Sequence, residues 1–159
     1  MWAGSVVSIH LAPANGAPTF PVAEVEAVAG AGLEGDRHYR PVGEQEPKDE
    51  LTLIQQESLD ALARDHGIAL EPGEHRRQVV TADVPLNDLV GKEFQVGSVR
   101  LRGIKLNEPC KYLEDLTGRP GLIKGLVHRG GIRAQILVGG TIQVGAPVTP
   151  VAAAASRDA

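Results

Sequence analysis

The chain has 159 residues, enough for one domain with its own hydrophobic core and little more. Sixteen basic residues stand against twenty acidic ones, a formal charge of −4, which excludes a general electrostatic attraction to nucleic acid or to anionic membrane. One cysteine, Cys110, excludes an intramolecular disulfide or a multi-thiolate metal site and points to a reducing compartment.

Ser5 to Leu11 is rich in β-branched residues and ends before Pro13-Ala14-Asn15-Gly16, so it reads as a strand and a turn. The start of the chain lacks a basic segment followed by a long apolar run, and no apolar stretch approaches a membrane span, so the expected location is the cytoplasm. Val22 to Val28 alternates, with Ala23, Val25 and Ala27 on one face and Glu24 and Glu26 on the other, which predicts a second strand. Gly30-Ala31-Gly32-Leu33-Glu34-Gly35 then matches the G-x-G-x-x-G pattern of dinucleotide-binding folds. Asp36-Arg37-His38-Tyr39-Arg40-Pro41 does not continue as an amphipathic helix, so the glycines are read as a tight loop presenting Asp36, Arg37 and His38. Residues 41–50 are polar and form a surface loop.

Leu51-Thr52-Leu53-Ile54 predicts a short buried strand. Gln56 to His66 predicts a helix with Leu59, Leu62 and Ala63 on its buried side, a solvated face of Asp60, Arg64 and Asp65, and Gly67 as its stop. Beyond Pro72-Gly73, Arg76 and Arg77 are expected to enter a strand, where neighbouring side chains point to opposite faces; only one of them should then reach a given pocket. Such a doublet is either surface charge or an anion holder. Gly97-Ser98 predicts a hairpin turn between strands, and Ala134 to Val138, Gly139-Gly140 and Thr141 to Val144 predict another hairpin.

Val99 and Leu101 alternate with Arg100 and Arg102, so a strand leads towards the cysteine. Pro109 biases Glu108 away from helical angles, and Tyr112, Leu113 and Leu116 recur at helical spacing, so a short helix begins near Cys110. Cys110 is either a small apolar residue or a reactive thiol, and a helix start with Lys111 beside it favours the thiolate form. Leu122, Ile123 and Leu126 predict a further short helix ending at His128-Arg129-Gly130-Gly131. About eight strands with two or three helices, without regular alternation, indicate a mainly β protein: a closed or partly closed β-barrel with two or three peripheral helices.

In order along the chain, Gly35-Asp36-Arg37-His38, Thr52-Leu53-Ile54, Pro72-Gly73-Glu74-His75-Arg76-Arg77-Gln78, Glu108-Pro109-Cys110, His128-Arg129-Gly130-Gly131-Ile132-Arg133-Ala134 and Gly140-Thr141-Ile142-Gln143-Val144-Gly145 resemble the MOSC domain. That module is shared by molybdenum cofactor sulfurases, mitochondrial amidoxime-reducing proteins and small stand-alone bacterial proteins. The resemblance spans residues 5–149, leaving 150–159 as an expected flexible tail, and implies a β-barrel of the pyruvate-kinase barrel type. It implies that Cys110 ligates molybdenum or carries sulfur, and that Arg77 helps to bind the anionic pterin cofactor, molybdopterin. Gln78 stands where the family often has asparagine, Ala146 where it often has aspartate, and Asn107 where related members often carry a further cysteine.

An anionic dithiolene bearing a phosphate needs fixed cations and a soft thiolate ligand. Arg37, Arg77, Lys111, Arg129 and Arg133 are the candidate cations, Gln78 a further cofactor contact, Cys110 the metal ligand, and His38 and His128 the candidate proton donors. The activity implied is two-electron reduction of an N-hydroxylated small molecule, with electrons from an external electron-transfer protein because no flavin or iron–sulfur signature is present. The alternatives are a sulfur carrier or sulfurtransferase using a Cys110 persulfide, and a non-catalytic cofactor-binding module. A zinc hydrolase built on His38, His75 and His128 is disfavoured because no two of them have i, i+4 spacing on a helix.

Overall fold

The structure is a computed structural model and describes residues 2–151; Met1 and residues 152–159, which hold most of the expected tail, lie outside the described residues. Its strands are β1 (Gly4–Leu11), β2 (Phe20–Val22), β3 (Glu24–Val28), β4 (Gly32–Leu33), β5 (Leu51–Gln55), β6 (Val79–Ala82), β7 (Glu93–Val96), β8 (Val99–Leu106), β9 (Ile132–Val138), β10 (Gly140–Gln143) and β11 (Pro147–Pro150). The helices are α1 (Gln56–His66), α2 (Lys111–Thr117) and α3 (Leu122–Leu126).

Seven strands close into a barrel in the order β1, β11, β7, β8, β9, β5, β6 and back to β1. Closure depends on β1 being long enough to serve several neighbours. Its first residues pair with β11 at Gly4 and Ser5, its middle pairs with β6, and its last residues pair with β2. The β5–β6 pair is parallel, and α1 lies in the crossover such a pair requires. A second sheet of β10, β3 and β4 covers one flank.

Alternation explains which residues face inward. On β3, Val25 and Ala27 are buried while Glu24 and Glu26 are exposed; on β9, Ile132, Ala134 and Ile136 are buried. With Ile9, Leu33, Leu51, Leu53, Phe94 and Leu101 they fill the barrel, and each such large side chain contributes roughly 1.5–3 kcal/mol. A smaller apolar cluster, built on Leu62, Leu113, Leu122 and Leu126, fastens the three helices together. α1 ends where Gly67 turns left-handed at φ 67°, and α2 ends in the same way at Gly118, φ 64°.

The predicted hairpin at Gly139-Gly140 does not form. β9 pairs with β5 and β8, whereas β10 pairs with β3 in the second sheet. A Cβ at position 139 would lie 2.6 Å from the Ala27 carbonyl oxygen, and Gly140 has φ 154°, so the glycines let the chain cross between sheets. The expected hairpin at Gly97-Ser98 is present, with Val96 opposite Val99.

Candidate functional site

A cavity of about 250 Å³ opens at the end of the barrel where β1 and β8 finish and β6 and β9 begin. Four arginines line it, Arg37, Arg76, Arg77 and Arg133, together with His38, Gln78, Asn107 and Cys110. The expectation that Arg76 and Arg77 could not share a pocket is therefore corrected. β6 begins only at Val79, and Arg76 has a left-handed backbone at φ 61°, so strand alternation does not govern the doublet.

The two arginines do different work. Arg77, 7% exposed, donates from Nε to the Gly130 carbonyl (2.8 Å), from Nη2 to the Asn107 carbonyl (2.8 Å) and from Nη1 to the His75 carbonyl (3.3 Å). It ties together the three segments that bound the cavity, and no carboxylate pairs with it among the described residues. Burial lowers its pKa to about 10, the attraction of the Cys110 thiolate acts in the opposite direction, and repulsion from Arg133 lowers it further. His75 holds the backbone beneath it by accepting the Arg77 N–H at Nδ1 (2.9 Å). That nitrogen must therefore be unprotonated, and burial first, then His10 and Arg77, push the His75 pKa down to about 3.

Arg76 donates from Nη1 to the Ala17 carbonyl at 2.6 Å, but its Nε and Nη2 are buried and have no partner among the described residues. Unpaired buried donors on a cation are costly unless a ligand completes them. Arg37 lines the same cavity, and its guanidinium also has no hydrogen-bond partner among the described residues. The two cations share the cavity and repel: burial, and then repulsion from Arg37, lower the Arg76 pKa.

The carboxylates present do not satisfy them. Asp36 accepts the Ala12 and His38 backbone N–H groups and the Gln78 amide at 2.8–3.1 Å. Asp49 pairs with Arg133 at 2.7 Å, and Glu108 accepts both the backbone N–H and Nδ1 of His128 at 2.7 Å. Gln78 is used internally as well, since its Oε1 accepts the Thr52 N–H at 2.9 Å. It fixes the loop carrying Asp36 and Arg37 against β5.

Cys110 is exposed at the N-cap of α2 and lines the cavity. Three residues named from the sequence lie outside the lining. Lys111 turns to Asp115 on the outer face of α2 at 2.9 Å, with its side chain 74% exposed. His128 is equally exposed and engaged with Glu108, and Arg129 is exposed at the end of α3. His38 is in the lining, and burial followed by the nearby Arg37 lowers its pKa. No cluster of three or more His, Cys, Asp or Glu side chains suited to holding a metal ion occurs among the described residues.

The family model described as the MOSC domain matches residues 34–149, most of the chain and all but a few of the residues that bound this cavity. This chain belongs to the MOSC domain family. No curated protein matches it. Among solved structures, the YuaD protein from Bacillus subtilis superposes with a TM-score of 0.77 at 16% identity, covering 93% of this chain and 97% of that one. YiiM from Geobacillus stearothermophilus gives 0.73 at 19% identity over 93% and 75%, and YiiM from Escherichia coli gives 0.67 at 17% over 96% and 71%. The MOSC barrel is common to them. No helix of the described residues is long and apolar enough to cross a membrane.

Sequence reasoning missed the role of Asn107 as a wall residue and discounted Arg76. A signal for Arg76 was present: Pro72-Gly73 followed by five polar residues before the first β-branched one is a poor strand start, and that alone removes the alternation argument.

Proposed function

We propose that this MOSC protein binds the molybdenum–pterin cofactor in the cavity, with Cys110 as metal ligand, and acts as a reductase of N-hydroxylated small molecules. MOSC domains are associated with this cofactor in general, and the donor set here fits a phosphorylated dithiolene. The observation that carries the reading is the pair of unpartnered, buried nitrogens of Arg76, beside an Arg37 that has no carboxylate of its own. A doubly charged phosphate would complete both guanidinium groups. Arg77 would contribute charge and hold the walls in place without contacting the ligand. When bound, the metal supplies two-electron chemistry at Cys110.

Reductive cleavage of an N–O bond consumes two electrons and two protons and releases water and the amine. The electrons come from an external electron-transfer protein. His38 is the one of the two candidate histidines that faces the cavity, so it is the residue assigned to deliver a proton. Burial and the neighbouring Arg37 lower its pKa, which makes the charged imidazole a readier proton donor than a free one.

The exposure of Cys110 also favours a second reading, in which the thiol carries a persulfide reached by a partner. The test is molybdenum and pterin content after gentle purification from cells that make the cofactor. The reductase reading expects both in the wild type and less than about a tenth of the metal in Cys110→Ser. Wild-type molybdenum in that variant overturns it, as does cyanide-releasable sulfur on Cys110 with no molybdenum.

A further inference from the structure

Asn107 sits three residues before Cys110 in the wall of the same cavity, and its bonds leave one group unspent. Its backbone N–H donates to the Gly131 carbonyl (2.8 Å), and its carbonyl accepts from Arg77 Nη2 (2.8 Å). Its side-chain Oδ1 accepts from Arg133 Nε (3.2 Å), while Arg133 Nη1 is held by Asp49. These contacts settle which end of the carboxamide faces where. Turning the amide over would set its N–H₂ against the N–H of Arg133, donor to donor, so Oδ1 belongs to Arg133 and Nδ2 to the other side. Nδ2 has no partner among the described residues, on a residue only 7% exposed that lines the cavity.

We propose that Asn107, oriented by Arg133, forms an oxygen-selective seat beside Cys110, recognising an oxo or hydroxo oxygen on the ligand in preference to sulfur. The inference rests on the proposed function only in placing an anionic ligand in this cavity. An amide N–H₂ donates and does not accept, so its partner must be an acceptor; oxygen is a strong one and thioether-like or thio sulfur a weak one. Nδ2 is not among the fully buried unpartnered atoms, so the donor is open to the cavity, where a ligand oxygen would take the place of water and a sulfur would replace it poorly. A cysteine at this position would offer the opposite preference, a second soft thiol in the same cavity wall as Cys110. With one cysteine in the chain, that chemistry has no second thiol. Arg133 acts as the positioning residue, and its pairing with Asp49 keeps it in place.

The test compares two tetrahedral dianions of equal charge, molybdate and tetrathiomolybdate, binding to the full chain made in cells unable to build the pterin. The variant Asn107→Asp keeps the shape and the Oδ1 bond to Arg133 while removing the donors, and the charge it adds acts equally on both probes. The wild type is expected to prefer molybdate, and the variant to lose that preference by about tenfold, the scale of one hydrogen bond to a charged acceptor. Asn107→Cys is expected to shift the ratio further towards the thio anion, and a thermal midpoint for each variant within a few degrees of the wild type shows that the fold is intact. A ratio that changes by less than about threefold in Asn107→Asp, or a wild type that binds no molybdate, overturns the proposal. If oxygen selectivity follows Asn107 while no pterin is ever retained, the seat stands and the reductase reading falls; retained pterin with an unchanged ratio reverses that outcome.

Discussion

Replacing His75 by asparagine should remove a defined part of the acid sensitivity of this protein. The imidazole is buried, accepts the Arg77 N–H at Nδ1, and has a pKa lowered from 6.5 to about 3, with burial as the first cause. For a base whose folded pKa is depressed, both states are neutral above 6.5 and nothing changes there. Below 6.5 the unfolded chain takes up a proton that the folded chain refuses, so stability falls with pH until about 3. At roughly 1.4 kcal/mol per pH unit, the loss amounts to about 2 kcal/mol at pH 5 and about 5 kcal/mol in the limit. Asparagine accepts the same N–H through Oδ1 in an Asx turn and does not titrate. Urea unfolding at pH 7, 6 and 5 should give a wild-type stability that declines about 2 kcal/mol more steeply than that of His75→Asn. The smaller side chain lowers the variant's curve at every pH without altering this difference. His10, whose pKa burial also lowers, remains in both proteins and contributes to both slopes. Parallel curves would refute the claim that His75 is held neutral beneath Arg77.

Gly131→Ala should prevent folding or cost more than about 3 kcal/mol, because its Cβ would lie 1.8 Å from the Leu53 carbonyl oxygen at φ 93°. Gly67→Ala, at φ 67° with nothing within 4 Å, should cost only about 1 kcal/mol by the same denaturant measurement. Lys111→Ala should leave bound molybdenum and pterin at wild-type levels, since its ammonium pairs with Asp115 away from the cavity; a loss beyond about half would return Lys111 to the site. Glu108→Gln should change stability by less than about 1 kcal/mol, because the pair with His128 is solvent-exposed and Oε1 still accepts the backbone N–H.

Strands and helices were legible in this sequence wherever one face is buried. The Val25/Ala27 and Glu24/Glu26 alternation and the Gly67 stop follow from local rules that tertiary packing reinforces, whereas the buried side of α1 is Ser58, Ala61 and Leu62, with Leu59 half-buried and the expected Ala63 exposed. Strand pairing was not legible, because register depends on a partner elsewhere in the chain. Gly139-Gly140 has the composition of a hairpin turn and instead serves as a crossing point packed on Ala27. The site was readable as far as residue type and order carry it: Cys110, Arg37, His38, Arg77, Gln78 and Arg133 do converge on one cavity. Which arginine has donors to spare was invisible. The bonds that occupy Arg77 are to carbonyls of Gly130 and Asn107, 53 and 30 residues away in sequence. The bond of Arg76 to Ala17 spans 59 residues and leaves its other nitrogens unspent. Lys111 was misjudged for a simpler reason: adjacency in sequence to Cys110 places it one helical position on, where Asp115 claims it.

The measurement that bears most directly on the central claim is the fluorescence of oxidised pterin released from purified protein, compared between the wild type, Arg76→Met and Arg64→Met, all made in cofactor-competent cells. Arg64 lies on the exposed face of α1, paired with Asp65, and serves as the control. Pterin is expected in the wild type and in Arg64→Met, with a loss of about tenfold or more in Arg76→Met, whose neutral side chain leaves Arg37 to hold the phosphate alone. Equal pterin in all three proteins would contradict that claim.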